Sequence, residues 1–408
     1  AECQLCRWIN KIILHWAHRR GNNCRRAWLA ITELKVYNSA PAFMNARVTS
    51  LMSIFTNFRE RLPRMAFALA ISIPAGALLA WLETPIPWMI GPMVAVAAVN
   101  LLGIRAFALP YGRQMGQVIL GSAIGVYFTP PVLIALGANA FPILITTLSA
   151  FAIGGIGALV MSKVSGVDGK SAFFSSIPGG SMAMANLAEK YGATMPPVAV
   201  AHSLRVSILV IVIPFGLTYG GIHIEPSTFR PEFTLNYSIL IPWLAGGFVL
   251  GELSERLRFH NGCLLTPLFL GAILALNGVT LSEIPSWLTD FAQLMFGLIL
   301  GERYERAFFA KHKLFIPFAL VNAVFIISAS VAVALSVSWA FDLPIATMII
   351  ATAPGGMAEM AIVAQALQMA IPTIMAFHLF RIIIVNMGTQ YIYIGAMWLR
   401  GKGDTTTS

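Results

Sequence analysis

Apolar runs long enough to cross a bilayer recur along this chain from residue 65 to residue 398, and that recurrence restricts the fold more than any other feature. In hydrocarbon every backbone N–H and C=O must find a partner within the protein, so only helices and closed barrels can span. The runs are continuous, as in FPILITTLSAFAIGGIGALVM (141–161), whereas barrel strands alternate over about ten residues. An all-α polytopic membrane protein is the expectation. Charged residues make up 11% of the 408 and hydrophobic ones 57%, so length bounds the number of spans rather than the size of a soluble core.

The net charge of +10 invites a nucleic-acid reading, but the excess is local. Residues 1–64 hold 11 Lys/Arg against 3 acids, and the rest of the chain 16 against 14. This basic arm lacks the long apolar stretch and small-residue cleavage site of a secretory signal. It is expected either to lie on anionic lipid or to be peripheral or non-native, Met44 and Met52 offering later starts, and it is given no functional role. Cys3 and Cys6 have C-x-x-C spacing without a second pair, and with Cys24 and Cys263 they make neither a disulfide framework nor a zinc site. No metal or cofactor is expected.

The chain repeats itself. Residues 178–208 align without gaps to 354–384 at an offset of 176, with ten of 31 positions identical, among them the Pro-Gly-Gly, Met184/Met360, Pro196/Pro372, His202/His378 and Arg205/Arg381. The same offset pairs Gln117, Gly121 and Gly125 with Gln293, Gly297 and Gly301. The domain reading is therefore a basic arm (1–64), membrane repeat 1 (65–217), a polar linker (218–236), membrane repeat 2 (237–400) and a polar tail (401–408). Each repeat has six apolar segments: 65–82, 86–104, 114–128, 140–162, 171–189 and 193–217 in the first, and 237–254, 263–279, 286–302, 314–338, 345–368 and 372–398 in the second.

Basic loop residues bear on how many segments cross. If all twelve do, Arg303, Arg306, Lys311 and Lys313 fall on the opposite side from Arg59, Arg61 and Arg64, against the positive-inside rule. Withdrawing one segment per repeat brings them to the same side, together with Arg256, Arg258, Arg400 and Lys402, and an odd number of crossings inverts the second copy. Inverted 5+5 repeats with both termini cytoplasmic follow. The segment withdrawn is the one holding Pro-Gly-Gly, where Pro removes a donor and Gly weakens helix continuity. Segments 114–128 and 286–302 compete for that role, but their Q-x3-G-x3-G spacing puts small residues on one face, as close helix packing does.

Matched breaks at Pro178-Gly179-Gly180 and Pro354-Gly355-Gly356 suggest two interrupted helices whose N-termini meet near the midplane, where partial positive charge and free N–H donors favour anions. The simpler reading of either break alone is a kink that shapes packing. Arg205 and Arg381 lie inside apolar runs, where an arginine costs about 2.5–3.5 kcal/mol. Either a bound anion or the carbonyls of the broken segments offset that cost. His202 and His378, three residues earlier, share their arginines' helical face and are expected as hydrogen-bond partners. Glu359, opposite Ala183 in the other copy, either exchanges a proton or neutralises Arg381. Asn186 is a polar lining candidate.

At these residues the chain resembles the AbrB membrane-protein family, whose members carry a duplicated Pro-Gly-Gly unit with a downstream Arg and a preceding Q-x3-G helix. The likeness covers roughly residues 65–400. It implies a bacterial inner-membrane protein, since members carry the labels of expression regulator, transporter and ammonia monooxygenase-like protein. A copper enzyme needs a cluster of nitrogen ligands, and the intramembrane histidines are only His202 and His378, so no enzyme is expected. No soluble nucleic-acid module and no G-x4-G-K-[ST] loop is present. The expected function is a secondary transporter or exporter of a small anionic solute held by residues of both breaks. A membrane sensor or regulator acting indirectly on expression is the alternative. Expected partners are the solute, a coupling ion, the lipid bilayer and further copies of the chain.

Overall fold

Some helix ends carry the residues that local chemistry favours. The computed structural model describes residues 61–404, apart from Thr129, Ser165, His223, residues 225–233, Arg258, His260 and Leu314. The basic arm before residue 61, most of the linker and the last four residues of the tail lie outside the described residues. Among the described residues there is no strand.

The first repeat comprises α1 (Arg61–Trp81), α2 (Pro87–Leu102), α3 (Gly112–Gly125), α4 (Pro130–Ala138), α5 (Ala140–Val164), α6 (Gly169–Ser176), α7 (Ser181–Lys190) and α8 (Met195–Tyr219). The second comprises α9 (Tyr237–Arg256), α10 (Gly262–Leu276), α11 (Ser286–Glu302), α12 (Arg306–Lys311), α13 (Phe315–Phe341), α14 (Ile345–Thr352), α15 (Met357–Ala366) and α16 (Ile371–Asp404). Pro87 starts α2, where a missing N–H does no harm, and Gly103 ends it with φ 101, a left-handed turn that suits glycine. Asp168 caps α6 by accepting from the Ser171 N–H at 3.0 Å, and Asn236 caps α9 through Ser238. The short helices α4 and α12 were not foreseen, and α16 runs on through Asp404, past the expected start of the polar tail at 401.

Among the described residues, six helices are long and apolar enough to cross a membrane: α1, α5 and α8, then α9, α13 and α16. The chain is thus an all-α polytopic membrane protein, with three such helices per repeat at matching places. The helices α2, α3, α10 and α11 are shorter, 14 to 17 residues, or about 21–26 Å at 1.5 Å per residue.

The Pro-Gly-Gly segments are interrupted, each into two short helices. A residue before proline is pushed out of the helical region, and Ile177 (ψ 127) and Ala353 (ψ 129) both are. A three-residue turn follows in each copy, Gly179 N–H to Ile177 O at 2.9 Å and Gly355 N–H to Ala353 O at 2.8 Å. Beyond it the chain returns. The Lys170 amine, at the start of α6, donates to Tyr191 O, just past the end of α7, at 3.2 Å, and the Thr194 N–H reaches the Ser171 hydroxyl at 2.9 Å. In the second copy four residues separate α15 from α16, which keeps pace with α14, so α15 must run back as well. Arms of eight and ten residues reach about 12–15 Å, half of a ~30 Å hydrocarbon core.

The glycine-spaced helices pack across the repeats. An added Cβ at Gly125 of α3 would lie 2.5 Å from Leu268 O of α10, and one at Gly301 of α11 would lie 2.8 Å from Met93 O of α2. Gly121 meets Leu264 O and Gly297 meets Met89 O in the same way. Each helix is pressed against the other repeat's partner of its neighbour, as an exchange of two like units requires. These faces are filled within one chain, so they are not the surfaces through which further copies of it would associate. The central core draws on both repeats, from Ile86, Leu120 and Val210 to Leu264, Met360 and Phe377.

Candidate functional site

Arg205 and Arg381 are buried, at 2% and 3% exposure, and both are spent on backbone. Arg205 donates from Nε to Pro354 O at 3.0 Å and from one terminal nitrogen to Ser176 O at 3.3 Å. Arg381 donates to Thr352 O at 3.2 Å, to Ala353 O, and to Gly355 O at 2.9 Å. These carbonyls lie at or beside the ends of α6 and α14, where the break leaves them without helical donors. Hydrogen bonds to a charged group are worth about 1.5–3 kcal/mol each. Two or three of them outweigh the insertion cost of about 2.5–3.5 kcal/mol. Both arginines are placed on carbonyls of the broken segments, and neither lines the cavity described below.

The histidines complete the ties. His202 Nε2 lies 2.9 Å from Phe174 O and its Nδ1 2.9 Å from Arg205, while His378 repeats this with Ile350 O at 2.9 Å and Arg381 at 2.8 Å. With hydrogen on Nε2, each imidazole donates to a carbonyl and accepts from a guanidinium. Both ring nitrogens are therefore occupied. Arg205 also joins the two breaks, since Pro354 belongs to the other repeat.

Beside this tied layer lies a cavity of about 480 Å3. Gly180, Ser181, Ala183 and Asn186 of the first hairpin line it, as do Gly356, Met357, Ala358 and Glu359 of the second. Of the residues expected from the sequence, the structure thus brings Gly180, Asn186, Gly356 and Glu359 to one cavity. Pro178, Gly179, Pro354, Gly355, His202, His378, Arg205 and Arg381 form its supporting layer instead. The α7 and α15 N-termini open into it, as matched breaks suggest.

Other lining residues were not foreseen. Arg113 of α3 donates to the Asn261 side chain at 3.0 Å, and Gln117 reaches the same oxygen at 3.5 Å. Arg303, just past α11, donates to the Ser203 hydroxyl at 3.2 Å and faces Glu359 closely enough to interact with it electrostatically. Asn386 of α16 accepts from the Gly180 N–H at 3.3 Å. Glu255 adds a second carboxylate. Only Gln117 carried a sequence signal, its pairing with Gln293. Glu359 does not pair with Arg381; its carboxylate turns back onto Gly356, where an added Cβ would overlap it.

Among the described residues, Glu252, Glu255 and Cys263 form a group whose ligand atoms all lie within 4.8 Å of one another. Glu252 is already paired with Arg256 at 3.1 Å, and the Cys263 thiol is in hydrogen-bonding reach of Glu255.

The family model described as transition state regulatory protein AbrB matches residues 88–395. A protein of Escherichia coli (strain K12), provisionally designated regulator AbrB, is 27% identical over 325 residues, 77% of this chain and 88% of that protein. The uncharacterized protein YhjN of Bacillus subtilis (strain 168) is 24% identical over 352 residues, 80% of this chain and 91% of its own length. The match to the family model takes in every cavity-lining residue and both hairpins, and the chain belongs to the AbrB family.

Proposed function

We propose that this protein is a secondary transporter or exporter of a small anionic solute, bound between the repeats of a multi-pass protein of the bacterial inner membrane. The observation that carries this reading is the polar cavity onto which both broken hairpins open their N-termini. Helix breaks at matching places, each half as deep as a bilayer core, are how a membrane protein exposes backbone donors to a solute without exposing them to lipid.

The topology that goes with it is inverted. With the Pro-Gly-Gly hairpins re-entrant, each repeat crosses an odd number of times whether or not its two shorter helices span, and basic loops then place both termini in the cytoplasm. Glu359, beside Arg303 in the cavity, is the group proposed to carry a coupling proton.

Purified protein in liposomes should exchange a radiolabelled small carboxylate against the same solute inside, and Arg113→Ala should lower that flux at least about tenfold with folded protein retained. Absence of exchange for carboxylates, phosphate and other small anions would end the transport reading. The designation of the Escherichia coli relative as a regulator favours a second reading, in which movement or sensing of the solute alters expression indirectly. Co-purification of a cytoplasmic partner from vesicles that transport nothing would favour it.

A further inference from the structure

We infer that Arg113 and Arg303, one from each repeat, form a two-armed clamp in which a single carboxylate of the solute bridges their guanidinium groups. This rests on the transport reading only in taking the cavity as the solute site.

Four arginines stand in or beside the cavity, and they fall into two kinds. Arg205 and Arg381 occupy matching places in the repeats and give their donors to backbone. Arg113 and Arg303 do neither. At the offset of 176 that pairs Gln117 with Gln293, their counterparts are Thr289 and Tyr127, so neither belongs to the duplicated framework. A guanidinium carries five N–H donors. Arg113 gives one to the Asn261 side chain at 3.0 Å and Arg303 one to the Ser203 hydroxyl at 3.2 Å, both neutral oxygens. Among the described residues neither arginine forms an ion pair with a carboxylate.

Both side chains line the cavity, and they lie close enough to repel each other. Local chemistry does not account for Arg113. A cation at the start of a helix is disfavoured by the dipole, and α3 has no acid in its first turn to offset it. The nearby acids do not relieve the pair either. Glu255 is in hydrogen-bonding reach of the Cys263 thiol, Glu302 accepts from the Ala108 N–H at 3.1 Å, and Glu359 acts on Arg303 without forming an ion pair. An anion between the arginines removes their repulsion and accepts from both, and the planar fork of a guanidinium matches a carboxylate. Because the arms come from different repeats, the solute becomes part of the contact between them. Glu255 and Glu359, on the same cavity, oppose any further negative charge. The class that fits is therefore a small monocarboxylate rather than a dicarboxylate or phosphate.

Acetate, succinate and inorganic phosphate, titrated by calorimetry into the full chain in nanodiscs, provide the test. Acetate should bind more tightly than the other two. Arg113→Gln and Arg303→Gln should each weaken it at least about tenfold, and Arg303→Lys, which keeps the charge but loses the fork, should still weaken it. Glu359→Gln alters neither arm and should tighten acetate about threefold by removing a competing charge beside Arg303. Arg306→Gln, one turn further on and outside this cavity, should change it less than about twofold. A wild type that binds none of the three anions, a preference for succinate or phosphate, a loss confined to one arginine, or weaker binding in Glu359→Gln would each overturn the clamp. Acetate bound in this pattern without flux in liposomes would support the clamp and refute transport, whereas carboxylate flux undiminished in both arginine variants would refute the clamp and leave transport standing.

Discussion

Two arginines with the same address in their repeats hold the backbone in different ways. Arg381 binds carbonyls of its own break, while Arg205 reaches across to Pro354 and locks the two breaks to each other. Arg205→Ala would leave Pro354 O, Ser176 O and the His202 ring without their donor. At about 1–3 kcal/mol for each buried group left unpaired, the loss should be about 3 kcal/mol or more, read as a lowered melting temperature in detergent. Arg205→Lys should recover little of it, because one ammonium cannot reproduce a planar fork aimed at separate acceptors. Gly356→Ala should behave in the opposite manner. The added Cβ meets the mobile end of Glu359 rather than backbone, so stability should change by less than about 1 kcal/mol.

At the level of elements, the hairpins and the glycine-faced helices divide the work. The hairpins expose backbone donors, and α3 against α10 and α11 against α2 bring the repeats close enough for those donors to converge. Gly121 and Gly297 sit where no Cβ fits, since the obstacles are the carbonyls of Leu264 and Met89. Backbone cannot step aside as a side chain can. Gly121→Val and Gly297→Val should each destabilise by about 3 kcal/mol or more and broaden the elution profile of the purified protein. Gly246→Ala, where nothing lies within 4 Å, should leave both melting and elution unchanged.

Over the whole molecule, duplication is broken in one respect that bears on the proposed transport. The cavity is lined by Asn261, Ile382 and Asn386. Their counterparts one repeat earlier, Ile86 at an offset of 175 and Val206 and Val210 at 176, belong to the central core. The side that is open is polar, and the side related to it by the repeat is sealed by apolar packing. If the repeats exchange conformations to move a solute, that sealed layer must open in turn. A cysteine at Asn261 should react with a membrane-impermeant maleimide in the resting protein, from one side only. A cysteine at Val210 should resist it at rest and become reactive, from the other side, when solute is supplied. Reactivity of Val210→Cys that solute leaves unchanged would argue against such an exchange.

What the sequence determined alone is whatever covalent and local chemistry dictates. Backbone that cannot hydrogen-bond to lipid and lies in continuous apolar runs must be helical, a Pro-Gly-Gly run removes a donor and weakens helix continuity at one place, and a duplicated sequence repeats its breaks at a fixed offset. Helical class, the position of both hairpins and the small-residue faces of α3 and α11 were legible for that reason. The tertiary structure decided where the charges point. Arg113, Asn261, Arg303 and Asn386 have no local pattern to mark them, and they meet at one cavity only because α3, α10, α11 and α16 reach it from distant parts of the chain. For the same reason Arg205 and Arg381 face carbonyls rather than the cavity. A helical register fixes a side chain's face, but the neighbour that face meets is set by packing.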